Sequence, residues 1–175
     1  MYERKVNNKI LIYDVETTTY KISPDKMNST PFSPKNWVVL HGLKFIDEDP
    51  ITTTDVKVVQ DAINISKMVV GANIKFDLHW ARRSGIDISN ISVWDCLIAE
   101  FLFSHQRLKM NENSLRTACE RYGLTQKLDI VKTEYWDKGV DTDAIPLPVL
   151  QEYLEGDLIS TEELFKHQYE RFRDE

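Results

Sequence analysis

Apolar and polar positions follow two different periods along this chain, and the switches between them sketch an order of elements. Lys9–Asp14 (KILIYD) is a short apolar run bounded by polar residues, the pattern of a buried strand. Trp37–Ile46 (WVVLHGLKFI) is predicted as a second strand and Ile51–Val56 (ITTTDV), rich in β-branched residues, as a third. Met68–Ala72 and Ile91–Trp94 complete the strand candidates. Elsewhere the period lengthens. Asp55–Ile65 reads as a short helix, and Ile74–Ser84 sets Ile74, Leu78 and Ala81 on one helical side. Asp95–Ser104 and Asn113–Tyr122 are predicted helices, the latter with Gly123 as its C-cap. From Pro148 the pattern is helical to near the end, with Gly156 expected to weaken or kink it. Residues 20–36, rich in Pro, Ser, Asn and Lys, read as a loop, and residues 125–146 as irregular. Strands first, then strand–helix alternation, then helices is the order of an α/β domain with helices packed on a mixed sheet. Residues 1–175 are expected to form a single domain.

Composition narrows the class only a little. At 42% apolar and 29% charged residues, the chain reads as an ordinary water-soluble globular protein. It has no run of about 18 apolar residues, so no membrane span is expected. The opening MYERKVNNK lacks the apolar centre of a secretory leader. Cys96 and Cys119 are too few for a disulfide framework and have no CxxC spacing, so reduced thiols in a cytoplasmic setting are expected. A net charge of −6 excludes a protein that coats nucleic acid by bulk positive charge. It leaves room for an enzyme whose carboxylates hold cations and so attract phosphate locally.

Three acidic motifs carry the candidate chemistry. Asp14 and Glu16 lie two apart at the end of the first strand candidate, so both side chains point to one face. Two carboxylates that close repel unless a cation lies between them, and hard oxygen ligands suit Mg²⁺ or Mn²⁺. Asn73 and Asp77 lie four apart where a strand passes into a helix, the arrangement of a polar helix start capped by Asn73 as much as of a ligand. Tyr153 and Asp157 share a face of the late helix. A phenol beside a carboxylate can orient an attacking water. Singly, each pair also describes a solvated strand end, a cap or an exposed helix face.

Taken in order, DVET at 14–17, NIKFD at 73–77 and YLEGD at 153–157 resemble the motifs of the DEDD exonuclease superfamily in its DEDDy branch. GANIKFDL at 71–78 closely resembles the second exonuclease motif of family A DNA polymerase proofreading domains. VWDCLIAEFL and SLRTACERYGL look like that family as well. The resemblance implies a ribonuclease H-like fold, a central mixed sheet flanked by helices. It implies that Asp14, Glu16, Asp77 and Asp157 hold two divalent metal ions, Mg²⁺ or Mn²⁺, and that Tyr153 positions the attacking water. Asp14 would bridge the metals, Glu16 and Asp157 would hold the one that activates the nucleophile, and Asp77 would stand on the side of the second. Two such ions stabilise both ends of an in-line displacement, and the product would be a nucleoside 5′-monophosphate.

The same resemblance places secondary roles. Thr17 matches a position whose backbone contacts the terminal nucleotide, and Asn73 would bind substrate or brace the site. Phe76 reads as a core residue or a stacking platform. Tyr20 falls where a wedge beside the terminal base is common, and stacks on a base or anchors its loop. Asp95 reads as a helix N-cap and His167 as a surface residue. Lys75, Arg82, Arg83, Arg107, Lys109 and Lys132 are the cations available to guide a backbone. The expected partners are single-stranded DNA 3′ ends and a DNA polymerase in cis or in trans, in a bacterial or phage-infected cytoplasm. A DEDDy RNA exonuclease and a non-catalytic nucleic-acid-binding module are the alternatives.

Overall fold

The computed structural model describes residues 9–23, 26–126 and 130–174. Its centre is a five-stranded sheet in the order β5-β4-β1-β6-β7. The strands are β1 (Lys9–Thr17), β4 (Val38–Phe45), β5 (Ile51–Thr53), β6 (Ser66–Gly71) and β7 (Ser92–Asp95). β1, β4 and β5 pair antiparallel, whereas β1, β6 and β7 pair parallel. The sheet is therefore mixed, as expected.

Alternation along β1 sorts its side chains between two cores. Leu11, Tyr13 and Val15 face α1 (Val56–Ile65) and α2 (Ile74–Arg83), where Val59, Ile63, Ile74 and Trp80 close around them. Ile12 faces the other way, toward α3 (Cys96–Phe103), α4 (Leu115–Tyr122) and α6 (Leu147–Asp174). By the same period of two, Asp14 and Glu16 lie on the α6 face. The two cysteines sit in this second core as buried free thiols.

Helix α6 is held against the sheet at several places along its length. Gly42 stands opposite Asp14 in the β1–β4 register, and a Cβ there would lie 2.8 Å from Leu154 Cγ, so glycine allows the helix to lie close. Lys44 on β4 forms a buried ion pair with Glu162 at 2.5 Å, and the Asp47 amide donates to the same carboxylate. Burial opposes the charge on Glu162, but hydrogen bonds from Lys166 and Lys44 outweigh it and hold the carboxyl below its ordinary range. Further along, buried Glu100 of α3 accepts from Arg121, Tyr122 and Gln168, which ties α3, α4 and α6 into one polar network.

Several elements differ from the sequence reading. β1 does not stop at Asp14: the β-branched Val15 and Thr17 carry it on, paired with β4, with an irregularity in register between Glu16 and Thr17. The 20–36 loop contains a small hairpin, β2 (Tyr20–Ser23) with β3 (Lys26–Asn28). The 125–146 stretch contains α5 (Ile130–Glu134) and two short 3₁₀ turns. Gly156 neither ends nor interrupts α6.

Candidate active site

The strand and the long helix bring three carboxylates together. Ligand oxygens of Asp14, Glu16 and Asp157 all lie within 4.8 Å of one another. Asp157 is 4% exposed and Glu16 7%, while Asp14 is half-buried. Oxygens that share a small divalent cation are separated by about this much, since each sits roughly 2.0–2.6 Å from the ion. Hard, anionic and largely buried donors of this kind are compatible with a divalent cation.

Asp77 reaches the same place from α2. It accepts a hydrogen bond from the Val15 amide at 3.1 Å and is 2% exposed. Burial raises its carboxyl well above the ordinary range, and the charge of Asp14 and a hydrogen bond between the two carboxyls raise it further. It is not one of the three clustered ligands but joins them through Asp14, offset toward α2. Tyr153 lies one helical turn before Asp157, 5% exposed. Its ring meets Trp136 edge to face, 5.6 Å between centroids at 84°.

The carboxylates sit between two depressions. A cleft of about 410 Å³ opens on the Glu16 side, lined by Thr17, Thr19, Phe76, Lys132 and Trp136. A smaller one of about 220 Å³ opens on the other side, bounded by Asp14, Asp157, Asn113 and Thr161. A strand end with acids at its centre and space on both sides suits a chain passing over the site.

No family model matches this chain, and no curated protein matches it. Solved structures do. Brucella melitensis NrnC bound to pGG superposes with a TM-score of 0.64 over 98% of this chain and 76% of its own, at 13% identity. A nuclease in its apo form superposes with a TM-score of 0.63 over 96% of this chain and 75% of its own, at 17% identity. The fold is ribonuclease H-like.

Within that fold the secondary candidates separate. Thr17 is buried at the end of β1 and lines the Glu16 cleft. Phe76 packs on the first core, as its core reading expected, and also lines that cleft. Asn73 does not cap α2 with its side chain. It takes a left-handed conformation (φ 62°), and its amide donates to Asp95 Oδ1 at 3.1 Å. Asparagine tolerates positive φ better than most residues, which suits it to this left-handed junction between β6 and α2. Asp95 caps α3 as expected, accepting from the Leu97 and Ile98 amides. The Tyr20 side chain lies outside the described residues.

Of the six proposed cations, all exposed, Lys132 lines the Glu16 cleft. Lys75 and Arg82 line a separate groove beside β7. Arg83 donates to the carbonyls of Pro31 and Ser33. His167 is not a free surface residue: it is half-buried, with its ring 4.1 Å from that of Tyr122. Sequence reasoning missed Trp136 and Asp141. Asp141 accepts from the amide and hydroxyl of Thr19 and so ties the 3₁₀ turns to the end of β1. Only the aromatic and acidic residues in an otherwise irregular stretch pointed to them.

Proposed function

We propose that residues 1–175 form one metal-dependent 3′→5′ exonuclease domain of the DEDDy type, which trims single-stranded nucleic-acid ends to nucleoside 5′-monophosphates. The observation that carries this reading is the meeting of Asp14, Glu16 and Asp157 within 4.8 Å, with Asp77 bonded to Asp14. When bound, divalent cations would neutralise the charge that builds on the attacking, leaving and non-bridging oxygens of a phosphodiester. Asp14, Glu16 and Asp157 would hold those cations, and Asp77 steadies Asp14 while accepting from the Val15 amide. The Tyr153 phenol orients the attacking water. Thr17 and Phe76 border the cleft that takes the terminal nucleotide, and Lys132 on its rim meets the phosphate.

Short RNA ends are the favoured substrate, because the similar structure with a named ligand carries pGG. DNA-end proofreading beside a polymerase is the second reading and rests on GANIKFDL at 71–78. The deciding assay uses 5′-labelled single-stranded RNA and DNA of matched sequence, from dinucleotides to longer oligomers, with Mg²⁺ or Mn²⁺. A ladder shortening from the 3′ end, lost with chelator and in Asp14→Asn, supports the exonuclease. Faster loss of the short RNA favours the first reading, and faster loss of the DNA favours the second. Intact substrate with both metals overturns the enzyme and leaves a binding module.

A further inference from the structure

We propose that Trp136 is the positioning residue for the Tyr153 phenol, and that a hydrogen-bonded brace from the end of β1 holds Trp136 in place. This deepens the exonuclease reading and rests on it. The Tyr153 ring is held on α6 by its backbone, but a tyrosine side chain on a helix still has χ angles to fix. The edge of one ring on the face of the other supplies that restraint, 5.6 Å apart and at 84°. Edge-to-face geometry of this kind is a preferred arrangement of aromatic pairs, so it favours one ring orientation over the others.

Trp136 is itself fixed. Its indole N–H donates to Thr142 Oγ1 at 3.2 Å, and Thr142 is fully buried. The Thr142 amide donates to Asp141 Oδ1, and the same oxygen accepts from the Thr19 amide and hydroxyl. Thr19 lies just beyond Thr17, the last residue of β1. The strand that carries Asp14 and Glu16 is therefore linked through Thr19, Asp141, Thr142 and Trp136 to Tyr153. Tyr153 thus takes its place relative to the carboxylates from two directions, its own helix and this brace. Trp136 also lines the cleft beside Glu16, so the ring that aims the phenol forms a wall of the space the nucleotide enters.

The test is a double-mutant cycle on the cleaving enzyme, with wild type, Trp136→Leu, Tyr153→Phe and the pair, and with Trp136→Phe as the conservative variant. Misplacing a catalytic group by about an ångström costs up to roughly a hundredfold. Trp136→Leu is expected to lower kcat about 10- to 100-fold, with the pair no slower than Tyr153→Phe alone. Trp136→Phe, which keeps a ring edge but loses the N–H to Thr142, is expected to fall between wild type and Trp136→Leu. A second readout does not need turnover. With fluorotyrosine incorporated, the fluorine resonance assigned by its loss in Tyr153→Phe should shift or broaden in Trp136→Leu and to a smaller extent in Trp136→Phe. If Trp136→Leu lowers kcat equally in wild type and in Tyr153→Phe, the inference is overturned, as it is by an unmoved fluorine line. A fully active Tyr153→Phe also overturns it while leaving the carboxylate-based enzyme standing. If wild type does not cleave at all, the exonuclease reading fails, and the fluorine line alone decides whether Trp136 orders the phenol.

Discussion

Asp14 stands where opposing demands meet. It lies within 4.8 Å of two carboxylates and bonds to a third. Without a cation, that crowding of negative charge is a strain on the fold. Asp14→Asn keeps the shape and removes one charge, so it is expected to cut cleavage roughly a thousandfold or more while raising the melting temperature of the metal-free protein. Thermal melts in chelator beside the cleavage assay check both halves, and a lowered melting temperature would contradict the crowding. Behind the site, His41 is buried and its Nδ1 shares a hydrogen bond with the Tyr13 hydroxyl at 2.9 Å. Burial lowers the His41 pKa from 6.5 to about 4. In the unfolded chain the ring keeps its ordinary pKa, so the unfolded state takes up the proton first. The stability tied to neutral His41 is whole above about pH 6.5 and is lost as pH falls toward 4. At about 1.4 kcal/mol per pKa unit this amounts to on the order of 3 kcal/mol. Denaturant melts from about pH 7 to 4 should fall less steeply in His41→Gln than in wild type, and parallel slopes would refute the assignment.

Between elements, the close crossing of α6 over β4 decides where Asp157 stands. Gly42 allows it, since a Cβ there would press on Leu154 and Leu158. Gly42→Val is expected to destabilise the protein by about 1–3 kcal/mol, as overpacked cores do, and to weaken metal binding by lifting the turn that bears Asp157. Calorimetric titration with Mn²⁺ checks the second effect; unchanged affinity would mean that α6 does not depend on that contact for its place. Gly156 is the opposite case. The sequence read it as a weak point, yet α6 runs through it and nothing lies within 4 Å of an added Cβ. Gly156→Ala is expected to stabilise by roughly 0.5–1 kcal/mol, and a loss of stability in urea melts would show that the glycine is needed. The same contrast shows what the sequence made legible. The apolar run of β4, buried on both faces, and the one-sided helix α2 could be read because local pattern reports burial. The three acidic motifs stood out because, taken in order, they resemble those of a known family; spacing alone left each pair open to a cap or a solvated face. The extension of β1 through Thr17, the left-handed Asn73 and the brace through Asp141 and Trp136 depend on partners far along the chain. Local pattern contains no record of those partners.

At the scale of the whole molecule, the carboxylate cluster belongs to a chain already at −6, so a cation at the site relieves both local and overall repulsion. Its ligands come from opposite ends of the sequence, Asp14 and Glu16 near the start and Asp157 near the end. Only the folded chain assembles them, so binding must stabilise the fold by linkage. At a hundred times the dissociation constant the gain is about 2.7 kcal/mol. For a protein of this size each kcal/mol moves the melting temperature by about 2–4 °C, so Mn²⁺ at that excess should raise it by roughly 5–10 °C. Asp157→Asn should abolish most of that rise, because it removes the ligand that α6 contributes to the set. A change at the opposite end of β1, such as Glu48→Ala in its exposed pair with Lys9, should leave the rise intact. If Mn²⁺ shifts wild type and Asp157→Asn equally, the ion binds elsewhere, and the meeting of strand and helix at these three carboxylates is not the metal site.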